Sequence, residues 1–99
     1  MNIQRILIAY DGSPESERAY EMALDLASRY TAELVVVSVA RPPEPPIAVE
    51  MEAVLEHATE YYRSRFASLK DQAFVQGVEP RFEVRIGHPA EQIGRASCR

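Results

Sequence analysis

Ile6-Leu7-Ile8-Ala9-Tyr10-Asp11-Gly12-Ser13-Pro14 holds the first change of periodicity in the chain. Its first five residues are apolar, β-branched in part and without alternation. Such a run reads as a strand covered on both faces, as in a parallel sheet. Asp11-Gly12 then turns the chain. Ser13 is a good N-cap, Pro14 suits the first helical position, and Glu15 places an acid where the helix dipole favours one. Ala19, Ala23, Leu24, Ala27 and Tyr30 follow at helical spacing and are the expected buried stripe. Leu34-Val35-Val36-Val37-Ser38-Val39-Ala40 is a second continuous apolar run. The segment therefore reads as strand–helix–strand with a right-handed crossover.

Four prolines in Pro42-Pro43-Glu44-Pro45-Pro46 exclude both helix and strand, so residues 41–46 read as an extended connector. A long helix is expected over Val49–Gln76. Met51, Val54, Leu55, Ala58, Tyr62, Phe66, Leu69 and Ala73 form one face, and Glu52, Glu56, Glu60, Arg63 and Lys70 the opposite one. Gly77 is its expected stop. Arg81-Phe82-Glu83-Val84-Arg85-Ile86 alternates strictly and predicts an edge strand with one face wet or partly covered. Gly87-His88-Pro89 turns the chain, and Ala90-Glu91-Gln92-Ile93 begins a further helix. The order β-α-β-α-β-(α) makes an α/β open parallel sheet, Rossmann-like, with strands in spatial order 3-2-1. It reads as the first part of a doubly wound domain.

The chain has 99 residues, enough for one small domain. With 46% apolar and 26% charged residues it has globular composition. Eleven basic residues against fifteen acidic ones give a net charge of -4, which argues against nucleic acid as a partner. The apolar runs are too short to span a membrane, and the opening residues lack a signal-peptide core. One cysteine, Cys98, excludes a disulfide framework within the chain. The expected location is cytoplasmic.

Asp11 is the strongest candidate for function. It stands at the carboxyl end of the first strand, where open α/β sheets bind ligands. The plainer reading makes Asp11-Gly12-Ser13 a turn before a capped helix. Gly12 and Ser13, at a helix N-terminus, are weaker candidates for meeting an anion, and the chain contains no Gly-x-x-x-x-Gly-Lys-Ser/Thr motif. His57 reads as a solvated helix residue and His88 as a turn residue. Two isolated histidines and one cysteine do not make a metal site. No Gly-x-Ser-x-Gly elbow surrounds Ser38, and no catalytic residue can be named. Tyr61 and Tyr62, with Met51 and Phe66, read as a packed face rather than a cofactor stripe.

The opening Ile6–Ser13 segment with its helix, the Val-rich second strand followed by prolines and a long helix, and Gly87-His88-Pro89-Ala90-Glu91-Gln92-Ile93 together resemble the universal stress protein family. The resemblance runs over residues 3–93. It implies a five-stranded parallel sheet of order 3-2-1-4-5, with strands 4 and 5 missing from this chain. It also implies ATP binding in many members, homodimers, a role in stress response and no common catalytic activity. In the ATP-binding branch it places Asp11 on the nucleotide, and Ala9 and Val39 along the adenine pocket. The family's phosphate loop, Gly-x2-Gly-x9-Gly-Ser/Thr, follows strand 4 and does not occur here. The expectation is an ATP-binding intact parent. The alternative is a stress protein that works by dimerisation or partner binding without nucleotide. An adenylating ligase on the same fold would need a further domain.

Ile93-Gly94-Arg95-Ala96-Ser97-Cys98-Arg99 reads, in one frame, as a translated sequencing-adapter string. Gly94 also interrupts the helical pattern just begun. On this reading the chain divides into a partial domain over residues 1–92 and a non-native tail over 93–99; the alternative is a short native tail with a frayed end.

Overall fold

The computed structural model describes residues 3–40, 48–87 and 89–97. The prolines of the connector, His88 and Cys98 lie outside the described residues. The elements are β1 (Arg5–Ala9), α1 (Pro14–Tyr30), β2 (Glu33–Ala40), α2 (Ala48–Val75), β3 (Arg81–Ile86) and α3 (Pro89–Ser97). The three strands are parallel, with β2 between β1 and β3. This is the open α/β sheet and the 3-2-1 order that the apolar runs imply.

The register explains the two faces. Ile6 and Ile8 stand beside Leu34 and Val36, and Val36 beside Phe82. That face meets α1 and α2. Tyr20, Ala23, Leu24 and Ala27 of α1 and Leu69 and Ala73 of α2 close the main core over it. Of the stripe expected on α1, Ala23, Leu24 and Ala27 are buried, but Ala19 and Tyr30 are exposed. Tyr20 takes the central place instead. Its ring is fully buried, and its hydroxyl donates to the Leu69 carbonyl at 2.5 Å. This polar tip let the ring enter the core without an unsatisfied group.

On α2 the expected division holds. Ala58, Leu69 and Ala73 are buried, Tyr62 and Phe66 pack on the core, and the Glu52–Lys70 face is exposed. Tyr10, Tyr62, Phe66 and Phe82 form a row of rings from the end of β1 to β3, with neighbouring centroids 6.4, 5.6 and 4.7 Å apart. Gly77 ends the helix at φ +73°, and Val78 donates its amide back to the Ala73 carbonyl.

The other face carries Leu7, Val35, Val37 and Val39, with Ala96 of α3 packed on it. Here the charged residues of β3 are not freely wet. Glu83 and Arg85 retain 14% and 15% side-chain exposure and pair at 3.1 Å. Arg81 reaches both Glu83 and Glu33, and Arg5 pairs with Glu33 at 3.2 Å. Opposite charges on neighbouring strands thus share the face with valines. α3 continues through Gly94 to Ser97, so the expected break in the helical pattern is not seen. A glycine inside a helix costs only about 1 kcal/mol, which the burial of Ala96 offsets.

Candidate functional site

The site is built at the carboxyl end of β1. Three hydrogen bonds fix that end. The Tyr10 amide donates to the Val37 carbonyl at 2.9 Å. The buried Ser38 hydroxyl donates to the Tyr10 carbonyl at 2.7 Å. The Tyr10 hydroxyl donates to the Glu17 carboxylate on the first turn of α1. Ser38 therefore has a positioning role in the strand pair, which its setting among valines did not disclose.

Asp11 follows this fixed point and is exposed. Its carboxylate accepts from the Ser13 amide at 2.9 Å. Hydrogen bonding from the Ser13 hydroxyl and amide holds the Asp11 carboxyl below the usual carboxylate range. Ser13 also caps α1, accepting from the Ser16 amide at 3.2 Å, while the Ser16 hydroxyl donates to the Ser13 carbonyl. The turn reading of Asp11-Gly12-Ser13 is thus correct as local structure. A carboxylate offers about four lone-pair positions, so Asp11 keeps acceptor capacity facing solvent.

Ala9, Asp11, Ser13 and Val39 line one cavity of about 400 Å³. Tyr10, Glu15, Ser16, Ala19, Val37 and Ile93 complete its wall. Four of the five candidate residues therefore come together. Gly12 does not line the cavity; at φ +84° it turns the chain, and a Cβ there would stand 3.2 Å from Arg65 Nε. Val37 was legible, since it shares a strand face with Val39 two residues on. Ala19 was read as core because its helical spacing fits, yet it is a wall of the cavity. Ile93 reaches the cavity from α3. The wall is apolar at Ala9, Val37, Val39 and Ile93, and acidic at Asp11 and Glu15. Apolar contact with a few convergent polar groups is the usual make-up of a small-molecule site.

A second cavity of about 450 Å³ lies between the end of β2 and α2. Val39 belongs to both cavities. Exposed His57 lines this second one with Tyr61 and Tyr62, and Arg65 sits 4.2 Å over the Tyr61 ring.

Burial pushes the Tyr10 and Tyr20 phenols up to about 12, helped in both by the negative charge of Glu17. A raised folded-state value favours the neutral phenol. Its contribution to stability is therefore complete below the ordinary value of 10.0 and lost as pH rises through about 12. Each shift corresponds to on the order of 2 kcal/mol. Burial also pushes the Tyr62 phenol up. Phenolate absorbance against pH should show Tyr10, Tyr20 and Tyr62 of the five tyrosines ionising late, the first two together with unfolding; five tyrosines titrating as one group near the ordinary value would contradict this.

The sequence pattern of the universal stress protein family matches residues 2–96. No curated protein matches the chain. Among solved structures, a universal stress family protein from Burkholderia pseudomallei is similar with 26% identity and a TM-score of 0.78, covering 96% of this chain and 73% of its own. Universal stress protein UspA from Lactobacillus plantarum matches at 20% identity and a TM-score of 0.74, covering 99% of this chain and 70% of its own. A universal stress protein solved in complex with cAMP matches at 23% identity and a TM-score of 0.66, covering 92% of this chain and 66% of its own. No helix among the described residues is long and apolar enough to cross a membrane. With nearly its whole length matched by that pattern and folded in the same way, the chain belongs to the universal stress protein family.

Proposed function

We propose that the protein is a stress-response module that binds an adenine nucleotide, ATP in the intact parent, at the carboxyl end of β1. One observation carries the reading: Ala9, Val39 and Asp11 stand around a single cavity of a size that suits a nucleoside. Ala9, Val37 and Val39 offer an apolar surface to the base. Asp11 offers acceptors to a ribose hydroxyl or an exocyclic amine. A family relative solved with cAMP supports the adenine class. On the family resemblance alone, we extend the proposal to a cytoplasmic homodimer of the intact parent.

The engagement of the Asp11 carboxylate by Ser13 favours a second reading, in which Asp11 serves the turn and the protein works through partner binding. Calorimetric titration with ATP, AMP and adenosine separates the two. Under the nucleotide reading, Asp11→Ala weakens adenosine by about tenfold, the worth of a charge-assisted hydrogen bond. Equal affinity in the variant, with a lowered melting temperature, would leave Asp11 with the turn alone.

A further inference from the structure

We propose that the groove between α2 and the edge strand β3 is a docking site for an extended acidic segment of a partner protein, which adds to the sheet beside β3. The proposal is independent of what fills the cavity at the end of β1.

β3 pairs with β2, and among the described residues no strand takes up its other edge. A strand bonded on one side presents main-chain donors and acceptors along the other, which is the template for adding a strand. Beside β3 lies a groove of about 300 Å³, walled by Phe82 and by one stripe of α2. Its apolar part is the stacked pair of Phe66 and Phe82, both half-buried, with ring centroids 4.7 Å apart. Arg63 and Lys70 line it before and after Phe66 in the helix. Both are exposed, and among the described residues neither forms an ion pair. The Thr59 hydroxyl turns back on its own helix and donates to the Leu55 carbonyl at 2.8 Å. No carboxylate lines the groove among the described residues, although the chain has fifteen acidic residues and a net charge of -4. The groove is therefore apolar in the middle and positive on either side.

That pattern selects the occupant. Arg63 and Lys70 stand about 10 Å apart along the helix axis. A strand sets alternate side chains on one face, about 7 Å apart. An acidic, an apolar and a second acidic residue at alternate positions thus place the apolar side chain over the phenylalanines and a carboxylate toward each cation. A second copy of the chain fits less well. Two-fold pairing of β3 edges sets one Arg63 and Lys70 stripe beside the other, and like charge opposes it.

The test is fluorescence anisotropy on the full chain with labelled seven-residue peptides. The first has phenylalanine at its centre, aspartate two positions to either side and threonine elsewhere. The second has lysine in place of aspartate, and the third is the first with proline on both sides of the phenylalanine. The native protein should bind the aspartate peptide at least about tenfold more tightly than the lysine peptide, since two ion pairs replace two repulsions. The proline peptide lacks main-chain donors and should bind at least about tenfold more weakly than the first. Arg63→Glu with Lys70→Glu should reverse the charge preference. Arg18→Glu with Arg29→Glu on α1 changes the net charge equally and should preserve it, with melting curves confirming that both variants are folded. Equal binding of the aspartate and lysine peptides, or of neither, overturns the proposal. So does full binding of the proline peptide, which removes the added strand. An aspartate preference that survives in the α2 variant, or is reversed in the α1 variant as well, removes the groove from the recognition. Sedimentation showing self-association that is lost in the α2 variant assigns the groove to a second copy and overturns the partner.

Discussion

Tyr20→Ala is expected to remove a large share of the protein's stability. The side chain is fully buried at the centre of the main core, among Leu24, Val36, Leu69 and Ala73. Removing a buried aromatic ring costs about 3–5 kcal/mol, because the surrounding atoms collapse only partly into the space. A domain of this size has about 5–15 kcal/mol of stability in total. The ring also joins elements far apart in the chain, since its hydroxyl donates to the Leu69 carbonyl across 49 positions. Tyr20→Phe removes only that hydroxyl and should cost about 1 kcal/mol. Urea unfolding followed by circular dichroism measures both. An alanine variant within 1 kcal/mol of the native protein, on the scale of ordinary surface changes, would show that the core does not depend on this ring.

The fold was readable because its signals are long and agree with one another. Continuous apolar strands, a capped first helix and a 28-residue second helix each point to a parallel sheet with crossovers. The errors fall where spacing alone cannot orient a residue. Ala19 and Tyr20 are neighbours, and a small apolar residue at the right interval was preferred to a large one with a hydroxyl. Which of the two turns inward depends on whether that hydroxyl finds a partner, and the partner is on another helix. The same holds for Glu83 and Arg85. Their alternation was visible, but how far they are covered beside the valines of β2 depends on the β2–β3 register, and their charges are met by each other and by Arg81 along β3.

The candidate site shows the same division. Asp11 was legible from its place after a strand and before a capped helix. Ala9 and Val39 came only with the family resemblance, and their meeting with Asp11 around one cavity is a product of the β1–β2 register. Ser38 was not legible as a residue that positions the site. Its hydroxyl donates to a carbonyl 28 positions away. Long-range contacts of this kind leave no periodic mark in a sequence.

Val39→Asp is expected to abolish nucleotide binding while leaving the protein folded. Val39 stands near the end of β2, is only half-buried and belongs to the walls of both cavities. Two effects act in the same direction. The base loses an apolar contact, and a carboxylate joins Asp11 and Glu15 on a wall that already repels anions. Together they should lower ATP affinity by at least about a hundredfold, or about 2.8 kcal/mol. Val39→Leu keeps the apolar surface and should stay within about threefold of the native affinity. The pair of variants separates chemistry from mere disturbance of the strand, because both change the same position. Melting curves confirm that each is folded, and calorimetry gives the affinities. If the aspartate variant binds ATP as the native protein does, the base is not held against the end of β2 and the cavity there is not the nucleotide site.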